Sequence, residues 1–234
     1  MRVAGAIALL LSGLTAAHGQ SCPELLASAR RLVLVTAPDM NTPNANIERF
    51  ERAGDGWKSV AAAQPALIGR NGMAWSQAFR ALGNRSEPIK MDGDKRAPAG
   101  FYRIGASFGF APSPRANYLH VREGTVCVDE PMSPAYNTIT TRTKVGPSVH
   151  AENMWRVPAY RHGLLVDYPT DRKNRAGSCI FIHIRMPDAK YTQGCVAVPE
   201  AQVLELQDFA AGGAVLGIVP ISARGRLASC LPES

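Results

Sequence analysis

Beyond its first dozen residues the 234-residue chain has no long hydrophobic run, which excludes a helical membrane protein. It has no internal repeat and no low-complexity tract. With 46% hydrophobic and 19% charged residues it is neither a disordered tail nor a collagenous rod, and one domain is the size expectation. No HExxH or similarly constrained ligand spacing links His150, Glu152, His162 and Asp167, so these four do not read as a zinc set. No aromatic-interleaved basic stripe and no basic amphipathic helix occurs. The excess of 26 Lys plus Arg over 19 Asp plus Glu, a net +7, therefore points away from nucleic acid and from stable membrane binding.

What the chain does have begins at its start. Residues 1–19 carry one Arg, an apolar stretch from Val3 to Leu11 and then small residues, the pattern of a cleaved secretory signal peptide. GQSC before Cys22 lacks the Leu and small residues of a lipoprotein site, so a soluble periplasmic or secreted protein is expected. Export makes the cysteines pair. Five are present, so at most two disulfides form and one thiol is left over. Cys22 and Cys230 lie near the two ends of the exported chain, and Cys127 and Cys179 both lie beside strand-like runs. Those two pairs are the expectation, although four cysteines allow three connectivities and sequence alone does not choose. Cys195 is then free.

The surroundings of Cys195 are the most informative part of the chain. Residues 177–184, GSCIFIHI, read as a buried strand carrying His183. The polar loop RMPDAKYTQ follows, then Gly194 and Cys195. Pro199 with Glu200 opens a helix whose apolar face is Val203, Leu204, Leu206 and Phe209. A nucleophilic cysteine needs an imidazole beside it, main-chain donors for an oxyanion and a small residue before it. Strand, loop, Gly-Cys and helix in this order can supply all three. The competing readings are a merely buried cysteine and a core histidine. His162, also followed by Gly, is a decoy for the base, and His120 reads as strand surface or groove lining.

This stretch resembles the signature of the L,D-transpeptidase catalytic domain (the YkuD family), a strand His followed by Ser/Thr-x-Gly-Cys, here Thr192, Gln193, Gly194 and Cys195. Two further segments are similar to that family: residues 93–105, GDKRAPAGFYRIG, and residues 160–170, YRHGLLVDYPT. The resemblance covers about 92–200 and implies one catalytic domain over 20–234. It implies Cys195 as nucleophile and His183 as general base, acting on peptidoglycan stem peptides through a thioester that an amine or water resolves. It implies the main-chain N–H groups of Gly194 and Cys195 as oxyanion donors, and no metal or organic cofactor. Against an anionic wall polymer the positive charge is apt. A monomer is expected. The second class of function is a wall-binding protein that keeps the fold without turnover.

The chain departs from the family pattern at three positions and in a shorter loop between His183 and Cys195. Gln193 stands where many members have a second His, Ala197 where they have Arg, and Ile184 where Gly is frequent. Without that Arg, the stem carboxylate falls to Arg185 or Lys190.

Elsewhere the chain reads as strands: 30–37, a hairpin over 46–62 around Gly54-Asp55-Gly56, another strand and turn over 65–75, a hairpin over 117–129, and a late strand over 214–222. Helices are expected near 23–30, 148–155 and 199–210. The fold class is mostly β, a mixed β-sandwich-like sheet with a few capping helices.

Overall fold

The computed structural model describes residues 22–233. The signal peptide expected over residues 1–19 lies outside the described residues. In chain order the elements are α1 (Glu24–Ala27), β1 (Arg31–Ala37), β2 (Asn44–Ala53), β3 (Gly56–Leu67), β4 (Met73–Trp75) and β5 (Ala97–Gly109). Then come β6 (Tyr118–His120), β7 (Thr125–Val128), β8 (Ile139–Thr141), α2 (Arg142–Val145), β9 (Ala151–Asn153) and β10 (His162–Val166). The chain ends with β11 (Phe181–Ile184), β12 (Val196–Val198), α3 (Glu200–Ala210), β13 (Val215–Pro220) and α4 (Ile221–Arg224). Short 3-10 turns supplement these. The protein is mostly β with a few short helices.

Strand pairing follows the hydrophobic pattern. Leu32, Val33, Leu34 and Val35 are all fully buried, as a strand with both faces covered must be. β1 lies between β13, to which it is parallel, and β2, to which it is antiparallel. From there the path runs through β3, β12, β11 and β10 on one side, and through β13 and β5 on the other. β10 also pairs with β5. The layers that a sandwich would keep apart are thus one sheet closed on itself, with β4 and β6 added along the long β5. Closure removes most open edges. A separate three-stranded sheet, β8-β7-β9, packs beside it.

The sequence pattern misleads in four places. The expected hairpin over 117–129 does not form: β6 joins β5, whereas β7 joins the small sheet. A turn redirects the chain, with the Thr125 N–H donating to Arg122 O and Thr125 Oγ1 accepting the Arg122 N–H. Val121 and Val126 therefore enter different apolar clusters. The expected helix over 148–155 is instead β9 followed by a 3-10 turn at Met154–Arg156. Pro147 and Pro158 bracket the segment, and pairing with β7 (Cys127 opposite Glu152) outweighs helix propensity. The strand expected over 177–184 starts only at Phe181, because Gly177 and Cys179 have φ of 87° and 57°. Finally, α3 buries Gln202, Val203, Leu206, Gln207 and Ala210, with Leu204 and Phe209 only half-buried. Gln207 explains the rotation: its Nε2 donates to Phe108 O and Gly163 O, both at 2.9 Å, bridging β5 and β10.

Both disulfides pair as the sequence led us to expect, Cys22 with Cys230 and Cys127 with Cys179, and Cys195 is free and buried.

Candidate active site

β11 and β12 are parallel neighbours, with Ile182 beside Val196 and His183 beside Ala197. Side chains alternate across a sheet. Ile182, Ile184, Val196 and Val198 therefore point into the main core, where none is more than 4% exposed. Phe181, His183 and Cys195 occupy the other face. There Phe181 and Cys195 join Phe108, Met154 and Tyr160 in a second cluster.

The Thr-x-Gly-Cys segment is shaped by its threonine. Thr192 is held to the barrel by two main-chain bonds, its N–H to Ile68 O and Arg70 N–H to its own carbonyl, each 2.8 Å. Its buried Oγ1 donates to Cys195 O at 2.7 Å and accepts the Gly194 N–H at 3.1 Å. Gly194 has φ of 141°, and a Cβ there would lie 3.0 Å from Arg96 O, so both backbone and space require glycine. Thr192 thus bends the chain at Gly194 and Cys195, and its hydroxyl is spent on main-chain bonds. It also occupies the Gly194 N–H, which leaves the Cys195 N–H as the main-chain oxyanion candidate.

Cys195 is 8% exposed. Its Sγ accepts the Phe181 N–H at 3.4 Å and donates to Cys179 O at 3.5 Å. Burial pushes the thiol up to about 12; the Phe181 N–H opposes this and the Glu152 carboxylate adds to it. His183 Nδ1 lies 3.0 Å from Ile184 O. Its proton is committed to that carbonyl, so Nε2 is the basic nitrogen of a neutral ring. Burial lowers the His183 pKa, partly offset by the same carbonyl. His183 follows Phe181 by two residues on one strand face, a separation of about 7 Å from the strand rise. No hydrogen bond joins its ring to Cys195 Sγ among the described residues. Thiol and imidazole are both neutral at rest.

Gln193, Gly194 and Cys195 open onto a cavity of about 630 Å³. Its walls include Glu152 and Tyr160, and Lys90 and Lys95 on the segment before β5. Lys90 is buried and bound to Asp94 at 2.7 Å and to Met91 O at 2.8 Å, so Lys95 is the cation left on that wall. A larger cavity, about 740 Å³, lies across the Cys179–Ile180 wall and contains Tyr168 and Arg115 but not Cys195. Arg185 is in neither. It lines a separate depression with Arg161 and Glu200. Lys190 is exposed and is not part of the Cys195 cavity wall.

The sequence did not single out Tyr160. Its hydroxyl donates to Glu152 Oε2 at 2.9 Å, and its ring meets Phe181 and His183 edge-on at 5.4 and 5.5 Å. Glu152 had entered only as a would-be metal ligand, in a stretch read as helix. Reading that stretch as a strand beside β7 would have set it next to Cys127. The other members of that set are scattered: His150 Nδ1 is 2.6 Å from Asp129, and His162 Nε2 is 3.7 Å from Glu200. Among the described residues no three His, Cys, Asp or Glu side chains group to hold a metal ion. His120 Nε2 lies 2.9 Å from Phe110 O, which ties it to structure.

Fold and site together describe a closed β-protein with one unpaired cysteine at a cavity wall. The sequence matches no protein-family model and no curated protein. Among solved structures it is similar to the helical cell shape determining protein Pgp2 from Campylobacter jejuni, with 15% identity and a TM-score of 0.40. The similarity covers 82% of this chain and 48% of that one, so the chain spans about half the length of that protein.

Proposed function

We propose that the protein is a cysteine acyltransferase of L,D-transpeptidase type acting on peptidoglycan tetrapeptide stems, with Cys195 as nucleophile and His183 as general base. The observation that carries the reading is the position of the one unpaired thiol: on a cavity wall, on the same sheet face as an imidazole whose Nδ1 proton is already fixed by a carbonyl. Because the thiol is neutral at rest, His183 acts during attack. Cys195 Sγ turns from Cys179 O toward the cavity and bonds to the carbonyl carbon of the stem's terminal peptide bond as its proton passes to His183 Nε2. The Cys195 N–H takes the developing oxyanion. Collapse breaks the C–N bond, His183 returns the proton to the leaving D-alanine amine, and a thioester remains. An amine then resolves it by transpeptidation; water would make the protein a carboxypeptidase or endopeptidase. Gln193 and Lys95, which line the Cys195 cavity, would hold the donor stem in this reading, while Arg185 lines a separate depression.

The alternative of a wall-binding protein without turnover draws on the high thiol pKa and the absence of a His183–Cys195 hydrogen bond. Intact mass after incubation with disaccharide-tetrapeptide decides between them. A thioacyl adduct with D-alanine release, absent in Cys195→Ala, is expected. No adduct and no D-alanine release overturns the enzyme reading. The products then separate transfer from hydrolysis.

A further inference from the structure

Glu152 stands on the wall of the Cys195 cavity. Its Oε2 is fixed by the Tyr160 hydroxyl, and Tyr160, 5% exposed, is itself wedged by ring contacts with Phe108, Phe181 and His183. The carboxylate is therefore aimed by a rigid neighbour. Yet no lysine, arginine or histidine among the described residues forms an ion pair with it. Asp129, on the same wall, is spent on His150, and Lys90 is spent on Asp94.

An anion here works against the chemistry of the site. Burial raises the Glu152 pKa, and the carboxylate in turn pushes up the neighbouring thiol and phenol. A carboxyl aimed by Tyr160 into the Cys195 cavity, with no counter-charge among the described residues, is accounted for when the counter-charge arrives with a substrate.

We propose that Glu152, positioned by Tyr160, is the seat for the cationic amine of the acyl acceptor. The inference rests on Cys195 being the acyl carrier. The ammonium docks on the carboxylate, loses one proton to water, and its nitrogen attacks the thioester carbonyl. The C–N bond forms, the second proton passes to His183, and the C–S bond breaks. Cys195 leaves as thiolate and takes that proton back. Glu152 thereby favours amine over water as the acceptor.

The test uses the full exported chain, disaccharide-tetrapeptide as donor, and glycinamide or its hydroxyl analogue glycolamide as acceptor. Glu152→Gln keeps the size and an acceptor for the Tyr160 hydroxyl but removes the charge. Two opposite effects are expected. Thioacylation of Cys195 becomes severalfold faster, and the ratio of aminolysis to hydrolysis falls about tenfold through a higher KM for glycinamide. Transfer to glycolamide does not follow the charge. Tyr160→Phe keeps the charge and loses aim, giving a smaller fall. In the Cys195→Ala background, glycinamide shifts NMR signals of the cavity, and Glu152→Gln abolishes the shifts. Adduct formation with an unchanged partition in Glu152→Gln overturns the acceptor seat and leaves the enzyme reading standing. No adduct, with charge-dependent glycinamide binding intact, overturns the enzyme reading and leaves a cation site. Loss of both half-reactions in a folded Glu152→Gln protein also overturns the seat.

Discussion

The two faces of β11 and β12 are built from alternate residues of the same two strands and do opposite work. One face contributes Ile182, Ile184, Val196 and Val198 to the main core and carries no side-chain polar atom. The other sets His183 and Cys195 among the aromatic rings of Phe108, Tyr160 and Phe181. Its polar groups are satisfied by main chain within reach: Ile184 O for the imidazole, and Phe181 N–H and Cys179 O for the sulfur. A thiol and an imidazole can thus be buried one residue from the core without stripping it of packing, because each borrows a partner from a strand end or loop.

This division is best broken from its reactive side. Cys195→Ala is expected to lower D-alanine release by about four orders of magnitude or more, the scale of losing a nucleophile, and to leave the folding midpoint in urea little changed. His183→Ala should follow it in activity. Ile182→Ala, on the opposite face and fully buried, should instead cost about 3 kcal/mol of stability by urea unfolding, while the folded fraction retains its turnover. A marked loss of activity in that folded fraction would show that the faces are not separate. Thr192→Val removes both Oγ1 hydrogen bonds and should cost about 1–2 kcal/mol, with thioacylation slowed because the Gly194–Cys195 bend loosens.

The smallest effect is electrostatic. The buried thiol keeps its proton up to about 12, whereas in the unfolded chain it loses it from its ordinary value of 9.0. The unfolded state therefore releases a proton first, and stability falls as pH rises above 9. Between pH 9 and 11 the wild type should lose on the order of 1 kcal/mol per pH unit more than Cys195→Ala in urea titrations. Equal slopes would place the thiol in water. His183 has the opposite sense: its depressed folded pKa makes protonation favour the unfolded chain, so its contribution is present above 6.5 and lost as pH falls below it.

Much of the fold was legible from short-range pattern. The apolar runs of β1 and β13, the hairpin of β2 and β3, and the Pro199 start of α3 declare themselves locally. The disulfide pairs were suggested by chain ends and flanking strands, and the structure selects them among the three connectivities. The regions that misled depend on distant partners. Nothing in residues 117–129 says that their halves join different sheets, and nothing in residues 148–155 announces β7 as a partner. At the site, Thr192, Gly194 and Cys195 form a contiguous motif and could be read. Glu152 and Tyr160 could not, because they approach Cys195 only through the small sheet and a turn 35 residues upstream, as counted from Tyr160 to Cys195. Arg185, close in sequence to Cys195, stands just past the end of β11 and lines a different depression.

The Cys22–Cys230 bond joins residues 208 apart whose Cα atoms lie 5.4 Å from each other. The Cys230 carbonyl is further pinned by the Trp57 indole, on which Arg52 stacks at 3.8 Å. A tensile load applied between these two positions is carried by one covalent bond and never reaches the closed sheet. Reduction would change that: force would then peel β1 from β2 and β13 in succession, and mechanical strength would become a property of the redox state of the surroundings.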